Sequence, residues 1–391
     1  MRVVVHKYGG SSVKEVGRLH KVAQHVAAAH KRGDGVVVVV SAMGNTTNEL
    51  IELARQVTET PKRRELDMLV SVGERISMSL LSMAIDALGV PAESFTGSQS
   101  GIITDESHTN AKVIEVRPAR IERALAQGKV AIVAGFQGVS RDREVTTLGR
   151  GGSDTTAVAL AAALNADWCE IHSDVPGLFS ADPRKVPKAI KLDEISLEEA
   201  LIMSTGGARV LHEAALSYAI RHGIALVSSN ADGSEVGTKV TPRISMAEPS
   251  GGVKAITEDS DLEVLSLKDS CADPSETMAA LMVALAKASA PIKMASASRV
   301  LVGLRDWPDR DAFEFPIGAT SLGTTVRVSA VGMGIGNESD LFCAALKALS
   351  EVGITPTMWS VTSNSIGFEV ASSQSRRAQE ALHAKLIEAG T

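Results

Sequence analysis

VVVHKYGGSSV at residues 3–13 and VVVVVSAMGNTTNEL at residues 36–50 decide the fold class. Each is a β-branched run that ends in a turn of glycine and small polar residues, with a helical pattern after it. Val36 to Val40 leave no polar face. An uninterrupted run of this kind fits a strand covered on both sides, as in a parallel sheet layered by helices. Between the two runs Val16, Leu19, Val22, Ala23 and Val26 recur at three- and four-residue spacing, which predicts a helix over about 16–32. Gly33 and Gly35 end it.

The rhythm continues outward. Helices are predicted over 48–57, 66–88, 118–127, 154–166, 197–203 and 207–222, with Asp154 opening the fourth as a cap. Strands are predicted at 91–96, 130–136, 169–173 and 225–228. Strands alternating with helices mean α/β with a mainly parallel sheet. The stretch 230–252 is polar and rich in Gly, Ser and Pro, and reads as loop and linker. Beyond it lie two units of β-α-β-β type. The first has a strand at 264–267, a helix at 276–288 and strands near Ile292 and Val300. The second has a strand at 326–332, a helix at 338–352, strands at 355–360 and 365–371, and a closing helix at 375–388. The expected division is a catalytic-sized α/β domain over 1–245 and a tandem α+β region over 253–391, split into 253–322 and 323–391.

Composition bounds the function. The 391 residues are 44% hydrophobic, enough for a large core, which excludes disorder as the dominant state. Forty basic against forty-six acidic side chains give a net charge of −6, and aromatics make up 3%. Both argue against a nucleic-acid partner. Cys169, Cys271 and Cys343 make no zinc spacing and no disulfide framework, and are expected to be small buried hydrophobes. No apolar run reaches about 18 residues, and the first residues do not form a signal peptide, so a cytoplasmic protein with no membrane partner is expected.

Two glycine-rich turns stand out. Lys7-Tyr8-Gly9-Gly10-Ser11-Ser12 follows the first strand. Adjacent glycines let the backbone curl around an anion with consecutive N–H groups, and Lys7 adds a full positive charge. An ordinary strand-to-helix turn with a solvated lysine has the same spelling. Thr147-Leu148-Gly149-Arg150-Gly151-Gly152-Ser153-Asp154 precedes a helix. Arg150 can hold a carboxylate or phosphate bidentately, while Asp154 can cap the helix or orient a lysine. Two such turns in one parallel α/β domain point to a ligand at the carboxyl ends of the strands. GMGIGN at 332–337 and LHEAA at 211–215 fail as dinucleotide and zinc motifs, because Asn337 and Leu216 stand at the deciding positions.

These residues resemble a known family. KYGGSSV is similar to the opening motif of aspartate kinases, and SAMGNTTNEL to their second loop. SVGERIS at 71–77, TTLGRGGSDTTAVALAAAL at 146–164, HSDVPGLFSADPR at 172–184 and GARVLHEAA at 207–215 follow in family order. The resemblance implies an amino-acid-kinase fold followed by ACT-type regulatory domains. It also implies an enzyme that uses ATP and Mg2+ to phosphorylate the side-chain carboxylate of L-aspartate, opening the route to lysine, methionine and threonine.

It further implies roles. Lys7 would sit against the transferring phosphoryl group, with Asp154 orienting it. Tyr8, Gly9, Gly10, Ser11 and Ser41 would line the nucleotide phosphates. Ser173, Asp174, Phe179, Ser180, Asp182 and Arg184 would form the nucleotide wall, and Arg209 takes the family's lysine position near the phosphates. Glu74 would hold the aspartate ammonium and Arg150 its α-carboxylate, with Thr47, Gly151, Gly152 and Ser153 nearby. A solvated helix face is the plain alternative for Glu74. No protein metal ligands are expected, since Mg2+ would rest mainly on the phosphates.

The chain also departs from the family. Pro176 replaces an acidic residue, and Glu213 stands where the family has proline. The effector loop of the first ACT-like repeat, KDSCADPSET at 268–277, has no glycine. An amino-acid effector there is therefore expected to bind weakly or not at all, leaving the tail for assembly as a homodimer or larger homo-oligomer. Gly332, Gly334 and Gly336 of the second repeat keep one effector site open as an alternative. A paralogue acting on a related acidic substrate, and a non-catalytic amino-acid sensor, are the rival readings.

Overall fold

The computed structural model describes residues 1–231, 236–242, 252–268, 271, 273–305, 307 and 310–388. Much of the polar 230–252 stretch, and Asp269 of the 268–277 loop, lie outside them. The chain forms two compact units. The first comprises Met1–Leu178, Lys191–Ser204 and Arg209–Glu248. The second comprises Phe179–Ile190, Thr205–Ala208 and Pro249–Thr391.

The first unit is built on an eight-stranded sheet. Its order is Glu194–Ser196, Thr238–Thr241, Leu226–Asn230, Trp168–Ser173, Val3–Tyr8, Gly35–Val40, Val130–Ala134, Ala92–Phe95. Neighbours are parallel except Leu226–Asn230 and Thr238–Thr241. Val36 to Val40 are buried on both faces, as their run predicts. Val36, Val38 and Val40 pack with Leu19, Val22 and Val26 of the Val16–Lys31 helix and with Leu81 and Ile85 of the Val72–Asp86 helix. The Gly152–Ala163 helix is apolar nearly all round and largely buried.

Three expectations change. The stretch read as one helix over 66–88 is two, Arg63–Val70 and Val72–Asp86, which meet at Ser71. The Ser71 hydroxyl donates to the Met68 carbonyl, and a Cβ on Gly73 would come within 2.7 Å of the Ala42 methyl. The break seats the second helix against the 41–46 loop. By length and composition Arg63–Asp86 would pass for a membrane span, but half of it is buried inside the unit, as in a core helix. The helix read as 207–222 starts at Glu213, where the His212 ring accepts from the Ala214 N–H. A small sheet of Val113–Val116, Ile102–Thr104, Gln137–Ser140 and Val145–Thr147 was not anticipated, because strands of three or four residues show no readable period.

The second unit carries one six-stranded sheet, ordered Ile292–Ala295, Arg299–Gly303, Ala255–Leu267, Ala319–Val331, Ser365–Val370, Met358–Thr362. Each half has the expected β-α-β-β order, with Pro274–Lys287 and Ser339–Glu351 as its helices. The central strands are 13 residues each, longer than their apolar cores suggest. They pair antiparallel with irregularities between Asp259 and Leu262 and between Val264 and Leu265, so polar residues break the sequence period without ending the strand. The Phe179–Ile190 segment belongs here: the Ile256 N–H donates to the Ser180 carbonyl, and Ala181 and Val186 join Val328, Leu349 and Leu382 in the core. Of the cysteines, only Cys169 is buried; Cys271 is partly exposed and Cys343 exposed.

Candidate active site

The carboxyl end of the Val3–Tyr8 strand carries the first of the turns singled out above, as ligand sites in open α/β sheets do, while the second follows Val145–Thr147 of the small sheet and opens the Gly152–Ala163 helix. Lys7 lies inside the Val3–Tyr8 strand rather than in the turn after it. Alternation sends its side chain to the face of the Gly152–Ala163 helix, where Nζ is 2.6 Å from Asp154 Oδ1. Both side chains are mostly buried, at 13% and 11% exposure. Asp154 is therefore not the cap read from the sequence. The helix starts at Gly152 after Gly151, and Asp154 projects from its first turn onto the lysine. A buried lysine so fixed is a point charge with a defined position, not a solvated one.

Backbone contacts bind the neighbouring loops to this pair. The Gly9 N–H donates to the His172 carbonyl at 3.4 Å, the Ser41 N–H to the Tyr8 carbonyl at 3.1 Å, and the Gly44 N–H to the Gly10 carbonyl at 3.1 Å. A Cβ on Gly135 would sit 2.7 Å from Ser153 Oγ. Gly151 has φ +69°, and a Cβ there would overlap the His212 ring at 2.0 Å. Gly149 also has positive φ, which leaves Arg150 exposed between two left-handed glycines.

Glu74 lies in the first turn of Val72–Asp86 and is 2% exposed. Oε1 accepts the Ala42 N–H at 3.0 Å, and Oε2 is buried without a hydrogen-bond partner. Burial pushes its pKa up to about 7, with the Ala42 N–H pulling the other way. The solvated-face alternative for Glu74 is thereby excluded. A buried carboxylate oxygen with no partner is costly unless a ligand supplies a donor.

Lys7, Tyr8, Gly9, Gly10, Ser41, Glu74, Gly151, Gly152, Ser153 and Asp154 are thus tied into one region of the first unit by short contacts or by chain adjacency. Ser11 is exposed beside Gly10, and Thr47 is half-buried in the first turn of the Thr46–Val57 helix. Ser173 ends the Trp168–Ser173 strand, Asp174 is exposed after it, and Arg209 is exposed before Glu213. Phe179, Ser180, Asp182 and Arg184 belong to the second unit. Within it the Ser180 hydroxyl accepts the Ile190 N–H and pairs with His383 at 2.9 Å, and Arg184 forks onto Asp182 at 3.0 and 2.9 Å.

Sequence reading missed two supports. Asp67 is fully buried and accepts from Thr147 Oγ1 at 2.6 Å, the Thr109 N–H at 3.1 Å and the His108 ring at 2.7 Å, which anchors the turn carrying Arg150. His6 and His172 meet on the sheet face opposite Lys7, their rings held at 3.0 Å between Nδ1 and Nε2. Only strand register brings them together: His6 pairs with Glu170, and Tyr8 with His172.

Comparison with known proteins identifies the family. A family model described as "Amino acid kinase family" matches residues 2–227. The aspartokinase of Mycobacterium tuberculosis (strain ATCC 25618 / H37Rv) is 59% identical over 225 residues, 57% of this chain and 53% of that protein. The aspartokinase of Corynebacterium glutamicum is 53% identical over 241 residues, 61% of this chain and 57% of that protein. The chain spans about half the length of the curated relatives it matches. Among solved structures, an aspartate kinase from Synechocystis is 33% identical with a TM-score of 0.57, covering 97% of this chain and 68% of that one. E. coli aspartokinase III in complex with aspartate and ADP has a TM-score of 0.82 over 98% of this chain and 100% of that one; at 24% identity this likeness bears on fold alone. The matched stretch covers more than half of the chain and contains Lys7, Glu74, Arg150 and Asp154, and the chain belongs to the amino acid kinase family.

Proposed function

We propose that the chain is an aspartate kinase, transferring the γ-phosphoryl group of ATP to the side-chain carboxylate of L-aspartate to give 4-phospho-L-aspartate. The carrying observation is the pairing of a buried, fixed Lys7–Asp154 couple with a buried, unpartnered Glu74 oxygen at the carboxyl ends of the same sheet. One group answers a phosphoryl charge and the other an ammonium. The high identity of the matched stretch to aspartokinases supports the same reading.

The chemistry needs no general base, because an aspartate side chain is already ionised at neutral pH. The obstacle is repulsion between two anions. Catalysis is then positioning plus charge neutralisation in a site prepared before substrate arrives. Lys7 stabilises the transferring group, and Asp154 keeps Nζ in place. Gly9, Gly10 and Ser11 offer backbone donors, with Tyr8 and Ser41 behind them. Glu74 takes the α-ammonium, Arg150 the α-carboxylate, and Thr47, Gly152 and Ser153 complete the wall. Ser173, Asp174 and Arg209 serve the nucleotide, as do Phe179, Ser180, Asp182 and Arg184 by resemblance. Magnesium, when bound with ATP, neutralises phosphate charge; Asp154 is committed to Lys7, a donor set that fits an ion held chiefly by the phosphates.

The product would feed lysine, methionine and threonine synthesis, and the second unit would act as an ACT-like assembly region of a homodimer or larger oligomer with weak effector binding. An ADP-release assay on the full chain tests the central reading. L-aspartate should support turnover while L-glutamate and N-acetylglutamate do not. Turnover with either of those instead would refute it.

A further inference from the structure

On the sheet face opposite Lys7, the first unit holds a cluster that the kinase chemistry does not use. His6, on the Val3–Tyr8 strand, is 4% exposed and His172, on the Trp168–Ser173 strand, is fully buried. Glu170, two residues before His172 on the same strand face, is half-buried at its edge. His6 Nδ1 is 3.0 Å from His172 Nε2 and 3.5 Å from Glu170 Oε2, and His172 Nε2 is 3.9 Å from Glu170 Oε1. Ligand atoms on a tetrahedral ion with bonds of about 2.0–2.1 Å lie about 3.3 Å apart. The three separations, with each histidine nearest a different Glu170 oxygen, bracket that value.

The surroundings fix the ligand atoms. His172 Nδ1 faces the Asn230 carbonyl at 3.1 Å, which places its proton on Nδ1 and turns the Nε2 lone pair into the cluster. Ser229 Oγ donates to Glu170 Oε1 at 2.7 Å and lies 3.0 Å from His172 Nδ1. Imidazoles that bind metals ordinarily have their second nitrogen held by a carbonyl or carboxylate in this way. His25 closes the cluster edge-on, 5.7 Å from the His6 ring and 5.2 Å from the His172 ring, with its own Nδ1 2.8 Å from the Tyr8 hydroxyl.

We propose that His6, Glu170 and His172 form a binding site for a late first-row divalent cation of the zinc type. Two imidazoles and one carboxylate provide three protein ligands and leave one position for water or an anion. Nitrogen donors set the site against Mg2+, which prefers an all-oxygen shell. On binding, His6 shifts its proton from Nδ1 to Nε2, and the histidine–histidine hydrogen bond gives way to two metal bonds. The cation would tie the strand that carries Lys7 to the strand whose His172 carbonyl accepts the Gly9 N–H.

The test uses the full chain, stripped with chelator and titrated with Zn2+ by calorimetry and with Co2+ by visible absorption. One equivalent should bind, Co2+ should give the intense bands of a four-coordinate ion, and Zn2+ should raise the melting temperature. His172→Gln should abolish saturable binding, and Glu170→Gln should weaken it at least tenfold. Ser229→Ala should weaken it about 10–100-fold through the lost orientation. Circular dichroism checks that each variant folds; should a histidine variant unfold, Glu170, at the edge of the cluster, carries the test. Absence of saturable Zn2+ binding below 100 µM overturns the proposal. So does binding unchanged by Glu170→Gln, or binding that disappears with the exposed thiol in Cys343→Ser.

Discussion

At the scale of single residues the site rests on two buried charges with opposite needs. Lys7 is already paired, so removing it deprives the transition state of a charge and strands Asp154. Lys7→Ala should lower kcat on the order of 10²–10³-fold with a folded protein by circular dichroism; an unchanged kcat would take Lys7 out of the mechanism. Glu74 is the reverse, a carboxylate whose burial pushes its pKa to about 7. Below that pH the free site is protonated, and an incoming ammonium must displace the proton. KM for aspartate should therefore rise about tenfold per pH unit below 7, while KM for ATP stays flat, and Glu74→Gln should give a high KM with no such slope. The linkage to stability has a definite sign. A folded pKa raised above the reference value favours the protonated fold, so this contribution is present below about pH 4.5 and lost as pH rises through 7. Chemical denaturation of wild type and Glu74→Gln across that window checks it.

At the scale of elements, glycine placement separates what the sequence spells from what it hides. Gly151 has φ +69° and would carry a Cβ 2.0 Å from the His212 ring, whereas Gly128 has φ +70° and open space around it. Gly128→Ala should cost only the left-handed strain, about 1–2 kcal/mol. Gly151→Ala should cost about 1–3 kcal/mol more through the clash and should also displace Arg150. Equal losses in urea melts would mean that the His212 contact carries no weight. The strand-turn-helix units were legible because burial on both faces demands unbroken apolar runs, as Val36 to Val40 have. The Lys7–Asp154 pair was legible only as one of two readings of Asp154, since a cap and a lysine partner occupy the same first turn. The split at Ser71, the small sheet anchored by Asp67, and the His6–His172 contact were not legible. Each depends on which strands and loops become neighbours, and a linear period carries no such information.

At the scale of the whole molecule the regulatory role proposed for the second unit can be tested. An effector can inhibit only by binding one kinase state better than the other. Here the Asp273 carboxylate caps the Pro274–Lys287 helix, accepting the Glu276 N–H at 2.9 Å, and so occupies one backbone donor at the helix start and sets a negative charge there against an effector carboxylate. Lysine and threonine titrated to millimolar levels should leave the kinase rate nearly unchanged; strong inhibition below 1 mM by either would refute this. The segment 179–190 has a different consequence. Ser180 bonds His383, 203 residues later in the chain. On a ribosome adding about 5–20 residues per second, that separation corresponds to a delay of roughly 10–40 s between the two partners. Through that interval the core that Ala181 and Val186 enter stays incomplete, for Val328, Leu349 and Leu382 are added to it one after another. The nascent chain therefore carries an exposed apolar loop in the middle of an otherwise finished first unit. A fragment stopping at residue 245 would keep that loop for good, and trypsin should cut it at Arg184 or Lys185 faster than it cuts the full chain.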